Sequence, residues 1–174
     1  MAAARIRTSW WRTAGASASV AGSVRRLLLS SLAALAWCLP ACAAPPAHHP
    51  SALAVAPNGE AIVLEVVEKV EDRARGLMGR AEVPRGTGML FRFERPGRHS
   101  FWMYGCLVPL DIIWIDEHGV VVHVGADLPP CKAEPCPSYA PDAPANSVIE
   151  LAAGEAARLG IKPGALVLVT ERGG

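Results

Sequence analysis

The chain has 174 residues, 51% of them hydrophobic, which is one domain's worth of sequence with enough apolar surface to bury a core. Its 17 basic and 16 acidic side chains are unevenly placed, because five arginines and no acid fall within residues 1–43. The remainder holds 12 basic residues against 16 acids, a net of about −4, and no basic run or basic-aromatic stripe, so nucleic acid is excluded as an expected partner.

Residues 1–26 carry Arg5, Arg7, Arg12, Arg25 and Arg26, and residues 27–39, LLLSSLAALAWCL, are an uncharged apolar run. A basic stretch followed by such a run has the layout of an export signal, here residues 1–43. The run is shorter than the roughly 20 residues that a bilayer-spanning helix needs, and small residues follow it at once. Two processing chemistries remain open. Cleavage at the A-x-A-like Ala41-Cys42-Ala43 releases a soluble protein. Alternatively, Leu39-Pro40-Ala41-Cys42 resembles a bacterial lipobox, in which Cys42 takes a lipid, becomes the new N-terminus and attaches the protein to the membrane. Either route places the mature protein in the bacterial cell envelope, in the periplasm or as an anchored lipoprotein. Residues 44–59, APPAHHPSALAVAPNG, are rich in Ala and Pro, cannot build a core and are expected to form a tether in which His48 and His49 are incidental.

A single β domain is expected over residues 60–172. AIVLEVVEKV (61–70) is β-branched and predicts a strand, while EDRARGLMGR (71–80) places Arg73, Leu77 and Arg80 at helical steps behind two acids and predicts a two-turn helix. GMLFRF (88–93) predicts a strand and ERPGRH (94–99) a turn. The longest strand-forming stretch, residues 99–125, is the centre of the domain. Asp111–Ile115 and Val120–Val124 predict a hairpin of strands buried on both faces, closed by Asp116-Glu117-His118-Gly119 with Gly119 at positive φ. Residues 126–147 hold six prolines and predict a long irregular loop. SVIEL (147–151) and ALVLVTER (165–172) predict strands, with a short amphipathic helix, AGEAARLGI, at 153–161 between them. Six strands and two short helices make a mainly β fold, either a β-sandwich or a small partly closed barrel.

After export, Cys106, Cys131 and Cys136 remain. In an oxidising compartment Cys131 and Cys136 are close enough in sequence to form a disulfide, and a zinc site lacks a second ligand pair. Cys106 is then a buried free thiol.

Two acids sit among aliphatic residues and are the candidate acid-base groups. Asp111 shares a strand face with Ile113 and Ile115 and is expected to pair with Arg73, Arg75 or Arg80; Glu150, inside VIEL, poses the same question. Met78, Met89, Met103, Cys106 and His99 offer soft ligands that suit copper, although Met among Leu, Phe and Trp fills core gaps. Trp102, Tyr104 and Tyr139, with Arg80, are the candidate binding residues: if Phe101 and Met103 face inward, Trp102 and Tyr104 form an outward aromatic platform. No G-x-S-x-G, P-loop, dinucleotide fingerprint or H-E-x-x-H occurs.

Taken together, RARGLMGR (73–80), GMLFRF (88–93), FWM (101–103), PLDIIWID (109–116), the loop PCKAEPCPSY and VIEL with AGEAARLGIKPG resemble the domain of unknown function 192 family over roughly residues 60–170. The resemblance implies a compact, mostly β domain, often exported behind a signal or lipid anchor, and brings no assigned catalytic residues. The chain departs at Tyr104-Gly105-Cys106, where many members carry Lys-Asn-Thr, so a role tied to that polar run is not carried over. The resulting expectation is a non-enzymatic envelope domain, without a cofactor or resident metal, that binds an unknown ligand or envelope protein. The alternatives are a small envelope enzyme using Asp111 or Glu150, and soft-metal binding through Met103, Cys106 and His99.

Overall fold

The computed structural model describes residues 51–171; the expected export signal, Cys42 and the His48-His49 pair lie outside them. The central hairpin forms as its residues dictate. β5 (Leu110–Ile115) is buried at every position and pairs antiparallel with β6 (Val121–Leu128), and Gly119 takes φ 81 in the connecting turn. Asp116 Oδ1 accepts hydrogen bonds from the backbone N–H groups of His118 and Val120 at 2.9 and 2.8 Å and holds that turn. Only β5 is buried on both faces, however. β6 is an edge strand and is half-exposed along most of its length, because among the described residues no strand pairs with its outer side beyond Val121.

The other strands of the main sheet are β1 (Ser51–Val55), β2 (Ala61–Val67), β3 (Thr87–Gly97), β8 (Ala145–Ala152) and β9 (Leu168–Glu171). The order is β6-β5-β8-β3-β2-β1-β9, and β2–β3 is parallel where the other pairs are antiparallel. A parallel pair needs a crossover, supplied by α1 (Val70–Arg75) and the turns after it. The sheet curls until its two ends meet at one corner. There Val120 bridges Leu166, Val121 N–H donates to Ala165 O and Val167 N–H donates to Gly119 O, each at 2.9 Å. The result is a half-barrel, the partly closed alternative of the two folds expected. A second, two-stranded ribbon joins β4 (Phe101–Trp102) to β7 (Ser138–Tyr139).

Alternation along the strands builds two cores. Ile113 and Ile115 join Ile62, Leu64, Leu90 and Ile149 inside the curl. Leu110, Ile112 and Trp114 join Phe91, Met89 and Val148 on the outer face, which the ribbon and the turns cover.

Several boundaries differ from expectation. Ser51–Val55, read as part of a tether, is a strand, because Ala52 and Ala54 are small enough to be fully buried between β2 and β9 while the backbone completes the sheet. Residues 94–97 continue β3 where a turn was expected. The first helix stops at Arg75, where Gly76 takes φ 50, and α2 (Glu155–Arg158) has four residues. The loop 126–147 gives up its ends to β6 and β8 and its middle to β7, so nine strands are present among the described residues where six were expected. Cys131 and Cys136 are joined by a disulfide and Cys106 is a buried free cysteine, both as anticipated.

Candidate functional site

The two acids singled out in the sequence meet different environments. Asp111, 1% exposed, accepts the backbone N–H of Asp127 on Oδ1 and that of Ala156 on Oδ2, both at 2.8 Å. Ala156 is the second residue of α2, whose N-cap, Gly154, has no side chain to offer, so Asp111 caps that helix from across the fold. The expected pairing with an arginine is therefore wrong. Two N–H groups already satisfy the carboxylate, Arg75 is exposed, and Arg73 and Arg80 are engaged elsewhere. Arg73 donates to the carbonyls of Glu68 and Arg92 and lies over the Phe93 ring at 5.1 Å, while Arg80 forms a bidentate pair with Glu65, both bonds 2.6 Å.

Glu150 sits in mid-strand on the outer face, opposite Met89 of β3 and Ile112 of β5, and is 4% exposed. The turn after α1 passes over it. Leu77 N–H donates to the carboxyl, Oε2 has no hydrogen-bond partner, and a Cβ on Gly76 would lie 3.2 Å from that oxygen. Burial pushes Glu150 up to about 7, against the smaller opposing pull of the Leu77 N–H and the Arg80 charge. Gly79 N–H donates to Gly105 O at 2.9 Å, tying this turn to residues 103–106. Cys106, beneath them, is also pushed up by burial and by the Glu150 charge, to about 11, so the thiol stays protonated and is a poor nucleophile at neutral pH.

The soft-ligand set is divided. Met103 and Cys106 belong to the outer core, whereas His99 stacks on Phe93 with centroids 3.5 Å apart. Among the described residues no three His, Cys, Asp or Glu side chains group as a metal ion would need.

The aromatic candidates also divide. Phe101 and Met103 face the outer core, and Trp102 and Tyr104 project from the other side of β4, 44% and 39% exposed with ring centroids 5.4 Å apart. Tyr139 lies opposite Phe101 and packs on the core, and Arg80 is held by Glu65.

The cavity of the domain was not anticipated. An open cleft of about 650 Å³ lies at the mouth of the half-barrel, between the tip of the β5–β6 hairpin, the β3–β8 pair and β9. Arg92, Ser147 and Ile115 stand opposite one another on three adjacent strands and line it in one row, with Phe93, Val167 and Leu168 as apolar walls. The signal was present in the sequence: Arg92 and Ser147 each continue an inward apolar row, after Leu90 and before Ile149, and a polar residue at the end of such a row marks a rim.

A family profile described as "Uncharacterized ACR" matches residues 53–169. The chain belongs to the domain of unknown function 192 family. It resembles a crystal structure of a protein of unknown function from Novosphingobium aromaticivorans DSM 12444, with 32% identity, a TM-score of 0.61, and coverage of 72% of this chain and 94% of that one. A second is a Sinorhizobium meliloti 1021 protein named provisionally as a transcription regulator, with 26% identity, a TM-score of 0.59, and coverage of 69% and 92%. No curated protein matches. The family's segments distribute over the fold in a definite way: RARGLMGR supplies the turn above Glu150, VIEL supplies Glu150 itself, and PLDIIWID supplies Asp111. The departure at Tyr104-Gly105-Cys106 falls at the roof of the Glu150 niche, where Gly105 takes φ 70 against Met78.

Proposed function

We propose that the protein is an exported, non-enzymatic domain of the bacterial cell envelope that holds a ligand or partner in the cleft at the barrel mouth. The observation that carries this reading is the cleft, a concavity of about 650 Å³ in which Phe93, Ile115, Val167, Leu168 and Val169 form apolar wall beside a larger set of polar and charged side chains, Arg92, Asp116 and Ser147 among them. Export is supported by the N-terminal sequence and by the Cys131–Cys136 disulfide, since such bonds persist in oxidising compartments. No helix among the described residues is long and apolar enough to cross a membrane. The lipobox-like sequence at Cys42 supports attachment through a lipid.

A second reading, a small envelope enzyme, draws on Glu150, whose carboxyl at about 7 is poised for proton transfer. Against it, Glu150 is buried on the outer face and does not line the cleft.

The test is native mass spectrometry on protein made with its own signal, beside Leu168→Arg. Leu168 is 52% exposed on the cleft wall, so the substitution blocks the site at little cost to the fold. A non-covalent ligand that co-purifies with the parent and is lost from the variant is expected. An empty parent, or a ligand retained by the variant, refutes the reading.

A further inference from the structure

We propose that the occupant of the cleft is an extended peptide that adds as a strand to the open edge of β9. This rests on the cleft reading above and specifies its ligand.

Among the described residues β9 pairs with a strand, β1, on one side only. On its other side Val167 N–H donates to Gly119 O, and Val167 O points at the same residue, since a Cβ on Gly119 would lie 2.8 Å from it. Strand geometry repeats every second residue, so the N–H and C=O of Val169 point outward as those of Val167 do. The hairpin tip meets Val167 and then turns away at Asp116–Gly119, and from there the β9 edge borders the cleft through Leu168 and Val169. An N–H and a C=O presented side by side on a strand edge match another extended backbone, and the cleft receives the side chains of the added strand. Leu166 and Leu168, 48% and 52% exposed, give that strand apolar surface to cover.

The opposite edge of the sheet is not built this way. Along β6 the pairing register shifts twice and Asp127 takes φ 50, irregularities that blunt an edge against strand addition. Charge sets the peptide's chemistry. Glu68, Glu94, Asp116 and Glu117 line the cleft with Arg73 and Arg92, four acids to two arginines, so the lining carries a net negative charge. The complement is a β-branched core flanked by lysine or arginine.

The probe is a fluorescein-labelled library of capped pentapeptides with Lys at both ends and Val, Ile or Thr at the second and fourth positions, titrated onto the full chain by fluorescence polarisation. At least one peptide is expected to bind, and to bind at least about tenfold more weakly to Leu168→Arg. N-methylation of the amide facing β9 should weaken binding at least about tenfold, the factor that 1.4 kcal/mol represents, while N-methylation of the neighbouring amide should change it less than about twofold. Equal effects of the two methylations overturn strand addition. So does failure of every peptide while a co-purifying small molecule still depends on Leu168, an outcome that leaves the cleft reading standing. Peptide binding that ignores Leu168→Arg overturns both.

Discussion

Glu150 makes the stability of the domain depend on pH in a direction opposite to that of an ordinary carboxylate. Its pKa is about 7 in the folded protein against a usual 4.5. Below 4.5 the carboxyl is protonated whether the chain is folded or not. Between 4.5 and about 7 the folded protein keeps a proton that the unfolded chain has released, so stability falls as pH rises through this window, and above it the loss is complete. At 1.36 kcal/mol per pH unit the interval corresponds to about 3 kcal/mol. Glu150→Gln is uncharged throughout and keeps an acceptor for Leu77 N–H. Glu155, held near 2 chiefly by its hydrogen bond to Arg158, stabilises the fold above 4.5 and loses that contribution as pH falls toward 2, outside the window. Part of the Glu150 loss has already occurred at pH 5, so urea unfolding at pH 5 and pH 8 should show the parent losing about 2.5 kcal/mol more than the glutamine variant between the two conditions. Equal losses, or a parent that gains stability at pH 8 relative to the variant, would refute the burial argument.

Asp111→Ala leaves the N–H groups of Asp127 and Ala156 without acceptors and should cost about 2–4 kcal/mol by chemical or thermal unfolding, with Asp111→Asn between it and the parent; a variant that melts like the parent refutes the capping role. Serine at both Cys131 and Cys136 opens a loop with a sequence separation of 5 and should cost about 2 kcal/mol, and a non-reduced peptide map of native protein should show the linked pair rather than two alkylated thiols. Cys106→Thr puts a hydroxyl donor near Glu150 and should reduce the extra loss between pH 5 and pH 8 by at least about 1 kcal/mol in the same urea series; an unchanged pH response counts against contact between the two side chains.

The hairpin and most strands were legible because their signal is local: β-branched runs bounded by Gly and Pro. What escaped depended on distant partners. Ser51–Val55 has an alanine-rich composition that suits a tether, and only β2 and β9 on either side of it make two buried alanines worth ordering. The helices came out shorter than their periodicity suggested because Gly76 and Gly160, both at positive φ, end them early. The cleft could not be seen without the curl of the sheet, since its walls come from segments as far apart as Glu68 and Val169.

Asp111 and Glu150 read alike in the sequence, each a single acid in an aliphatic strand, and the backbone that crosses them makes them different. Asp111 is the second residue of its strand, where the start of α2 and the bend at Asp127 both bring N–H groups to it. Glu150 lies between β3 and β5, whose amides are spent on the ladder, so only a turn passing overhead can donate, and one N–H arrives from Leu77. That turn comes within reach because Gly76 carries no Cβ. A polar run in the adjoining segment, such as the Lys-Asn-Thr of many family members, would offer further donors. Here Tyr104 faces outward, Gly105 rests on Met78 and Cys106 is a buried thiol, so the second carboxyl oxygen stays unpaired and the proton is retained to about pH 7. The pH sensitivity follows from burial with a single N–H donor, from Leu77, for two carboxyl oxygens. A relative with the polar run should have a Glu at this place that ionises at lower pH, and little of the stability loss between pH 5 and pH 8.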